Sequence, residues 1–535
     1  MSLAADLKMY GRFALGLRRF LRNTISLDQA RATIRTRMQE RETSFLRVIE
    51  KGIFGNPRSA YLPLLKLAGC ELGDIGNLVG SRGIEATLRK LREAGVYISF
   101  EEFKGRKPIV RGGQHFGTGP RSFDNPYLSN FYRSETGGST GAGARVETDL
   151  DHLAAQAPHL MLAREVHNVL DAPTVLWRGV LPDGSGINNL LRACHFGRVP
   201  LKWFSPFSRE ALKPALKFQL ATYGTVVLGR LSGVPIPWPE PVSIDRAIVV
   251  ARYVAETVKA YGSCLVVVTV SRALRVCVEA EQDGFDLTGV TFMIAGEPPT
   301  PAKVRGITKT GARCFPTYGL AESGRIGMGC GNPIDSNDLH LLNDAFAVIQ
   351  HPRRVPGWEL EVEAFNITSL LLTAPKLLLN VEVDDYGILE RRSCGCPLEG
   401  CGFTEHLREI HSFRKLTGEG VTLVGSEMVR ILEEVLPARF GGSSLDYQLL
   451  EEEDEQGFTR LSLVVSPKID IGEEEAVINT VLEAMGQSSV GADAARAIWQ
   501  QARTLRVKRA EPVWTSRGKL MPLHLVRRSE ELAGK

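Results

Sequence analysis

The feature that most constrains the fold is an alternation of short β-branched runs with helical stretches between about residues 127 and 390. The β-branched runs are Thr225–Leu228, Leu265–Val270 and Val290–Ile294, and the helical stretches include Ile244–Tyr261 and Arg272–Gln282. Strands that alternate with helices favour a parallel sheet covered by helices on its faces. We therefore predict an α/β fold with layers of helix on a sheet.

The two ends of the chain differ from this middle part. Residues 1–110 are predicted to be mostly helical, because segments such as Ile84–Arg92 have helical spacing. After about residue 410, strands are expected at Tyr447–Leu450 and Leu461–Val465, and helices at Glu473–Met485 and Asp493–Arg503. The predicted parts are a helical N-terminal extension (1–110), a large core domain (111–413) and a small α+β C-terminal domain (414–535).

The composition excludes some classes of function. The formal net charge is +4, from 65 Lys and Arg against 61 Asp and Glu, which is too small over 535 residues to indicate nucleic-acid binding. No apolar run reaches the roughly 18–20 residues of a transmembrane helix, and no signal peptide is indicated at the N-terminus. We expect a cytoplasmic protein, in which the nine cysteines do not form a disulfide framework.

A polar, glycine-rich run is the first candidate functional segment. It consists of Thr136, Gly137, Gly138, Ser139, Thr140 and Gly141, followed by Ala142 and Gly143. Glycines let backbone N–H groups approach phosphate oxygens, and the hydroxyls add donors. A solvated loop is the simpler interpretation. Ser139 also fits the G-x-S-x-G nucleophile elbow of hydrolases, which needs a helix directly after it, and the Gly-Lys-Ser/Thr of a P-loop NTPase is absent from the chain.

A second candidate segment follows after a long interval. It begins with Gly296, Glu297 and Pro298 and continues to Tyr318, Gly319 and, three residues later, Glu322. The carboxylate of Glu322 is an oxygen ligand of the kind that Mg²⁺ prefers. Because one segment suits a polyphosphate and the other suits its metal ion, together they indicate an enzyme that uses ATP to activate a carboxylic acid.

The order of these motifs resembles the adenylate-forming superfamily of acyl-CoA synthetases. The branch that looks closest is that of phenylacetate–CoA ligases and coenzyme F390 synthetase-like proteins, over residues 125–525. The resemblance implies a large adenylation domain and a small, mobile C-terminal domain. It also implies that the glycine-rich loop binds ATP phosphates, that Gly296–Pro298 borders adenine, and that Glu322 binds Mg²⁺.

This sequence departs from the family pattern in both motifs, at three positions. The family loop ends in Pro-Lys, whereas Gly143 stands here in place of the proline and the lysine is absent. Arg145 is the nearest cation and is expected to substitute for it, although a guanidinium is not a point charge. In the second motif Ala321 replaces the usual threonine, so one phosphate-binding hydroxyl is lost.

Three further residues are assigned by the resemblance. Asp385 corresponds to the aspartate that holds the ribose hydroxyls, with the adjoining Asp384 as the alternative. Arg414 corresponds to the arginine near the domain hinge. Lys519, in Ser516–Leu520, corresponds to the catalytic lysine, whose positive charge would stabilise the charge that develops at the α-phosphate.

A group of cysteines indicates a structural metal site. Cys394, Cys396 and Cys401 lie close together, with Cys330 and His340 upstream. Closely spaced thiols in a cytosolic protein point to Zn²⁺. We expect Cys330, Cys396 and Cys401 as ligands, with Cys394 or His340 as the fourth. A set of free thiols is the alternative.

The resulting prediction is an acid–thiol ligase that forms an acyl-adenylate and then transfers the acyl group, most simply to coenzyme A. The alternatives are transfer to an amine or a carrier-protein thiol, an inactive nucleotide-binding protein, and a hydrolase. The acid pocket is expected around residues 192–207 and near Tyr318. Phe196, Trp203 and Phe204 suit an aryl acid, and each fits a hydrophobic core equally well. The identity of the acid and the oligomeric state, a homodimer being one option, stay open.

Overall fold

The computed structural model describes most of the chain. It covers residues 3–117, 119, 121–135, 145–206, 216–297, 299–354, 361–412, 415–418, 421–424, 430–443, 445–453, 458–485, 499–513 and 523–525. The helices are α1 Leu3–Arg22, α2 Leu27–Gln39, α3 Arg41–Arg47, α4 Tyr61–Leu67, α5 Leu72–Glu93, α6 Phe100–Phe103, α7 Leu150–Val166, α8 Ser185–His195, α9 Leu216–Leu231, α10 Ala247–Tyr261, α11 Val270–Gln282, α12 Pro301–Thr308, α13 Leu436–Phe440 and α14 Glu474–Met485.

The strands alternate with these helices in the middle of the chain. They are β1 Ile109–Arg111, β2 Gln114–Phe116, β3 Phe131–Glu135, β4 Arg145–Asp149, β5 Thr174–Trp177, β6 Lys202–Ser205, β7 Pro239–Pro241, β8 Cys264–Thr269, β9 Val290–Ala295, β10 Arg313–Leu320, β11 Gly324–Gly329, β12 Leu339–Leu341, β13 Phe346–Arg354, β14 Glu361–Ser369, β15 Val381–Arg391, β16 Glu405–Ser412, β17 Lys415–Gly418, β18 Val421–Val424, β19 Tyr447–Glu453, β20 Thr459–Val465, β21 Leu505–Arg509 and β22 Leu523–Leu525.

A 12-stranded sheet organises the large part of the molecule, in the order β13-β14-β15-β16-β12-β11-β10-β9-β8-β5-β6-β7. The strands from β10 to β7 run parallel to one another, whereas β11 and the strands beyond it pair antiparallel. Strand β10 is therefore the junction between the two halves. The predicted parallel strands are confirmed at β8 and β9, whose apolar residues are buried because helices cover both faces.

One expected strand is wrong. Residues Thr225–Leu228 lie inside helix α9. Phe218, Thr222, Thr225 and Val226 are buried there, and this spacing matches one face of a helix rather than alternation along a strand. Burial of that face outweighs the β preference of the branched side chains, which is a weak one.

The N-terminal helices pack onto the same core as the large sheet. Buried residues from Phe13 to Phe103 share one hydrophobic cluster with residues of the sheet as far as Ile410. The expected helical character of this segment is thus observed, and the segment contributes to the large core. The predicted boundaries at residues 110 and 413 remain proposals.

The C-terminal part forms a second, smaller unit with its own sheet and core. Its sheet has the order β21-β20-β19-β22, and α14 packs on it around a separate core that includes Tyr447, Leu463 and Trp499. The two expected strands and the first expected helix are found, whereas most of the second, Asp493–Arg503, lies outside the described residues. The chain therefore has an α/β fold with a small C-terminal α+β unit. In the described ranges, no helix is both long and apolar enough to cross a membrane.

Candidate functional site

The candidate site lies at the carboxyl ends of the parallel strands, which is where open α/β sheets bind ligands. Arg178 directly follows β5, Arg272 lies three residues beyond β8, and Glu297 lies two residues beyond β9. Tyr318 lies near the end of β10, at the junction of the two halves of the sheet. The topology therefore brings motifs that are far apart in the sequence to one edge.

Tyr318 and Asp385 meet directly. The Tyr318 hydroxyl donates a hydrogen bond of 2.9 Å to Asp385 Oδ2, and the Ser412 hydroxyl donates to Oδ1 of the same carboxylate. Burial, and then the charge of Asp385, raise the pKa of Tyr318 well above its ordinary value, so its hydroxyl stays a donor. The neighbouring Asp384 has a positive φ of 68° and its carboxylate lies 3.4 Å from Arg353. Of the two aspartates, Asp385 is thus the one that contacts Tyr318.

Glu322 is buried and ion-paired. Its side chain is 6% exposed, and its Oε1 accepts a hydrogen bond of 2.5 Å from the Lys104 ammonium. Burial alone would raise the pKa of the Glu322 carboxyl, but the charge and hydrogen bond of Lys104 outweigh burial and lower it. Lys376 adds a second positive charge and donates its backbone N–H to the Glu322 carbonyl. Lys104 belongs to the segment to which the sequence assigned no chemistry.

The motif that was expected to border adenine is held by internal contacts. Glu297 is 8% exposed and accepts hydrogen bonds from the Ser271 hydroxyl and, at 3.4 Å, from the Lys303 ammonium. Gly296 has a positive φ of 87°, which glycine adopts at little cost. Gly319 is required for another reason, since a Cβ there would lie 2.5 Å from the Gly324 carbonyl oxygen.

Several predicted site residues lie outside the described residues. They are Thr136, Gly137, Gly138, Ser139, Thr140, Gly141, Pro298, Arg414 and Lys519. The strands β3 and β4 on either side of the glycine-rich run pair antiparallel, so the run connects two strands. A nucleophile elbow needs a helix directly after the serine, and this connection disfavours the hydrolase alternative. Arg145, the expected substitute for the missing lysine, forms an ion pair with Glu147.

The aromatic residues near the expected acid pocket belong to the core. Phe196, Trp203 and Phe204 are each at most 2% exposed and pack within the hydrophobic clusters on the two faces of the sheet. The Trp203 indole donates to the Arg178 carbonyl oxygen at 2.9 Å. Of the two interpretations that the sequence left open for these residues, the structure favours packing.

Four side chains form a compact group with the composition of a metal site. Cys330, His340, Cys394 and Cys396 have ligand atoms that all lie within 4.8 Å of one another. Cys401 is not part of this group. The hydrogen bond between the Cys330 and Cys396 thiols lowers the pKa of Cys396 and raises that of Cys330. A thiolate at Cys396 is the form that binds a metal.

Hydrogen bonds orient the members of this group. His340 Nδ1 lies 2.8 Å from the Phe403 carbonyl oxygen, which only accepts, so Nδ1 carries the proton. The lone pair of Nε2 then faces Cys396 Sγ at 3.3 Å and Cys394 Sγ at 3.6 Å. This is how metal-binding histidines are commonly held. A second candidate group, Cys330 with Asp338 and His406, adjoins the first.

Comparison with known proteins supports the fold. No protein-family model matches the sequence, and no curated protein is similar enough to count as a relative. The structure is similar to 2-hydroxyisobutyryl-CoA ligase in complex with 2-HIB-AMP and CoA in the thioesterification state, with a TM-score of 0.53 and 14% identity over 93% of this chain and 92% of that chain.

Two other solved structures match less closely. The same ligase in its postadenylation state gives a TM-score of 0.42 and 13% identity over 92% of this chain and 90% of the other. The amide bond synthetase McbA from Marinactinospora thermotolerans gives 0.32 and 11% over 95% and 98%. The inference of fold rests on the first match alone. This chain therefore has the fold of the adenylate-forming acyl-CoA ligases, which confirms the resemblance at the level of the fold, while the phenylacetate–CoA ligase branch stays a prediction.

Proposed function

We propose that this chain activates a carboxylic acid with ATP. The acid's carboxylate oxygen attacks the α-phosphorus, pyrophosphate leaves, and an acyl-adenylate forms. A thiol then attacks the acyl carbon and AMP leaves. The observation that carries the proposal is the contact of 2.9 Å between Tyr318 and Asp385, two motif residues separated by 67 positions, at the ligand-binding edge of this fold.

Asp385 is proposed to bind the ribose of the nucleotide. It is 4% exposed and already accepts from two hydroxyls, so it offers the geometry that two vicinal ribose hydroxyls require. Tyr318 and Ser412 hold the carboxylate in place. The hydroxyl groups of a ribose are donors of the same kind as those that this carboxylate accepts from within the fold.

Glu322 is proposed to bind Mg²⁺. Its oxygen donors suit this hard cation, and its position beside Lys104 shows that the surroundings already hold the carboxylate ionised. The bound ion would supply charge neutralisation at the phosphates. Lys104 is proposed to contribute the positive charge that the family loop provides through its lysine. Thr136–Gly141 and Pro298 are proposed to bind the nucleotide with Gly296 and Glu297.

The acyl acceptor and the remaining residues are also proposals. Lys519 would stabilise the charge that develops during adenylation, Arg414 would lie at the hinge, and a small mobile domain would carry Lys519 into the site. Coenzyme A is the proposed acceptor. Cys330, His340, Cys394 and Cys396 fit the four positions of a structural Zn²⁺, so the expected ligand Cys401, which lies outside this group, is not needed. A closed tetrahedral shell of this kind would stabilise the fold and take no part in the chemistry.

The test is to trap the adenylate. The protein is incubated with ATP, Mg²⁺ and a panel of carboxylic acids, and hydroxylamine converts any acyl-adenylate to a hydroxamate while AMP is quantified. Coenzyme A, amines and a carrier protein are then added separately to identify the acceptor. Lys519→Ala should suppress hydroxamate formation by roughly 10²–10³-fold while ATP binding is retained.

A matched pair of aspartate variants tests the nucleotide site. Asp385→Asn should raise the KM for ATP at least about tenfold, as expected for a lost charge-assisted hydrogen bond. Asp335→Asn removes a partly exposed carboxylate that pairs with Arg408 instead, and it should leave the KM unchanged. Equal KM values in both variants would contradict the assignment of the ribose site.

A further inference from the structure

Two buried arginines, Arg178 and Arg192, and a partly buried one, Arg325, lie beside the candidate site. Arg178 and Arg192 are 8% and 6% exposed. Arg325 is the second residue of β11 and lies opposite Gly319 of β10 in the strand register. Burial lowers the pKa of Arg178 and Arg192 to about 10, and it lowers that of Arg325 well below its ordinary value. Arginine in such surroundings is costly unless an opposite charge accompanies it.

Arg178 differs from the other two in having compensation. Its Nη2 donates to the Val268 carbonyl oxygen at 2.6 Å, and the carboxylates of Asp183 and Glu297 act on it as opposite charges. The charges of these two carboxylates act on Arg178, although the hydrogen bonds of Glu297 go to Ser271 and Lys303. Among the described residues, no carboxylate acts on Arg192 or Arg325 in the same way.

Arg192 and Arg325 have no carboxylate partner within the described part of the chain. The electrostatic influences on Arg325 come from other arginines, first Arg192, and the favourable one on Arg192 is the Tyr132 hydroxyl. Arg192 Nε and Arg325 Nη1 are buried, and no described residue accepts a hydrogen bond from either. The charge of Arg192 therefore acts on Arg325, and each of the two guanidinium groups has a buried N–H donor with no acceptor among the described residues.

The surroundings of these two arginines supply neutral hydrogen-bonding groups. Arg325 Nη2 donates to Asn189 Oδ1 at 2.9 Å, and Asn189 lies one turn before Arg192 on α8, so both lie on one face. Gln156 and His152 of α7 approach the adjoining Gly324, where an added Cβ would lie 2.0 Å from Gln156 Nε2. Burial, followed by the charge of Arg192, lowers the pKa of His152 to about 3, so His152 is neutral.

We propose that Arg192 and Arg325 bind a second anionic group of the acid substrate, so that the substrate is a dicarboxylate or another acid with an additional negative charge. The proposal rests on the proposed function, in which the first carboxylate is activated. Guanidinium groups bind carboxylate or phosphate oxygens through paired hydrogen bonds. Arg325 lies opposite Gly319, the residue after Tyr318 in β10, and the acid pocket was expected near Tyr318 and from Arg192 onward.

Matched acids provide the kinetic test. Pyrophosphate exchange into ATP is measured with dicarboxylic acids and with their monomethyl esters, which keep length and remove one charge. A charged hydrogen bond contributes about 1.5–3 kcal/mol, so kcat/KM should favour the diacid by roughly 10- to 150-fold. Arg192→Met and Arg325→Met should bring this ratio close to one by lowering kcat/KM for the diacid. An increase in the KM for ATP with an unchanged acid ratio would instead assign the arginines to the nucleotide phosphates and overturn the proposal.

Arg164 of α7, a buried arginine whose charge acts on Arg325 without being part of the proposed site, serves as the control. Arg164 is 1% exposed, donates to the Thr174 hydroxyl at 3.1 Å and lies over the Phe196 ring. Arg164→Met should keep the full preference for the diacid. The melting temperature of the variants is a second measurement, and a purely structural role of Arg192 would change it in the opposite direction. Because an uncompensated buried charge is removed, Arg192→Met should raise the Tm, whereas loss of a structural ion pair would lower it.

Direct binding separates this inference from the proposed function. Calorimetric titration of the full chain with a diacid, in the presence of AMP, measures affinity without turnover. If no acid supports exchange but the diacid binds and Arg192→Met weakens that binding at least about tenfold, the anion site stands and the proposed reaction fails. If Arg192→Met binds the diacid as tightly as the wild-type chain, the inference is wrong whatever the exchange assay shows.

Discussion

The ion pair between Lys104 and Glu322 gives a prediction whose size follows from the structure. The two side chains are 22% and 6% exposed, and the ammonium lies 2.5 Å from Oε1. Lys104→Met keeps the length of the side chain and removes its charge. Breaking a buried pair by removing one partner costs about 3–5 kcal/mol, because the other charge stays buried.

Two features of the structure reduce that cost. Lys104 is partly accessible to water, and Lys376 supplies a second positive charge to Glu322. We therefore expect Lys104→Met to lower the free energy of unfolding by about 2–3 kcal/mol. The double variant with Glu322→Gln should recover most of the loss, because neither charge then remains, and the coupling free energy should be about 2 kcal/mol.

The assay is urea-induced unfolding of the full chain, with all four members of the double-mutant cycle compared at one pH. The control pair is Lys309→Met and Glu281→Gln, an exposed ion pair whose coupling should be below about 1 kcal/mol. A coupling near zero would refute the reasoning.

Three other predictions test separate parts of the molecule. Tyr318→Phe should weaken ATP binding about three- to tenfold, because Asp385 loses one orienting hydrogen bond, and equilibrium titration with labelled ATP measures it. His152 has a pKa of about 3 in the fold against about 6.5 when unfolded, so below pH 6.5 the unfolded chain binds a proton that the folded chain does not, and the free energy of unfolding falls. Between pH 7.5 and 5.5 the wild-type chain should lose about 1.4 kcal/mol more of this free energy than His152→Gln. Equal pH slopes in the two proteins would contradict this. Cys396→Ser should lower both the zinc content and the Tm, whereas substitution of the separate Cys70 should change neither, and fresh wild-type protein without zinc would contradict the metal site.

Parts of the fold follow directly from the sequence. Strands β8 and β9 are readable because continuous apolar runs of strand length are typical of buried parallel strands. Helix α9 cannot be predicted from local preference, because Thr225–Leu228 is rich in β-branched residues. Its conformation is decided by the burial of residues at helical spacing within the folded chain. Local patterns therefore predict elements where preference and tertiary burial agree.

The same contrast holds for the candidate site. Asp385 and Tyr318 belong to motifs that a family resemblance identifies, and the structure brings them into contact. Lys104 is 218 residues from Glu322, and a lysine in a helical segment carries no sign of a buried partner. Arg192 lay within the expected acid pocket, but that no described carboxylate pairs with it depends on the packing of α7, α8 and β11.

Spacing along the sequence does not identify which residues form the cysteine group. Cys401 is close in sequence to Cys394 and Cys396, yet it ends a 3-10 turn, Glu399–Cys401, and does not join the group of four. His340 completes that group because β12 pairs with β16 and carries its imidazole to the cysteines. Pairing between distant strands is not visible in local spacing.

The most direct test of the central claim is acid-dependent exchange of labelled pyrophosphate into ATP by the purified chain, with no acyl acceptor present. The account predicts exchange that requires Mg²⁺ and an acid, and that falls by roughly 10²–10³-fold in Lys519→Ala. Absence of exchange with every mono- and dicarboxylic acid, in a folded protein that binds ATP, would contradict it.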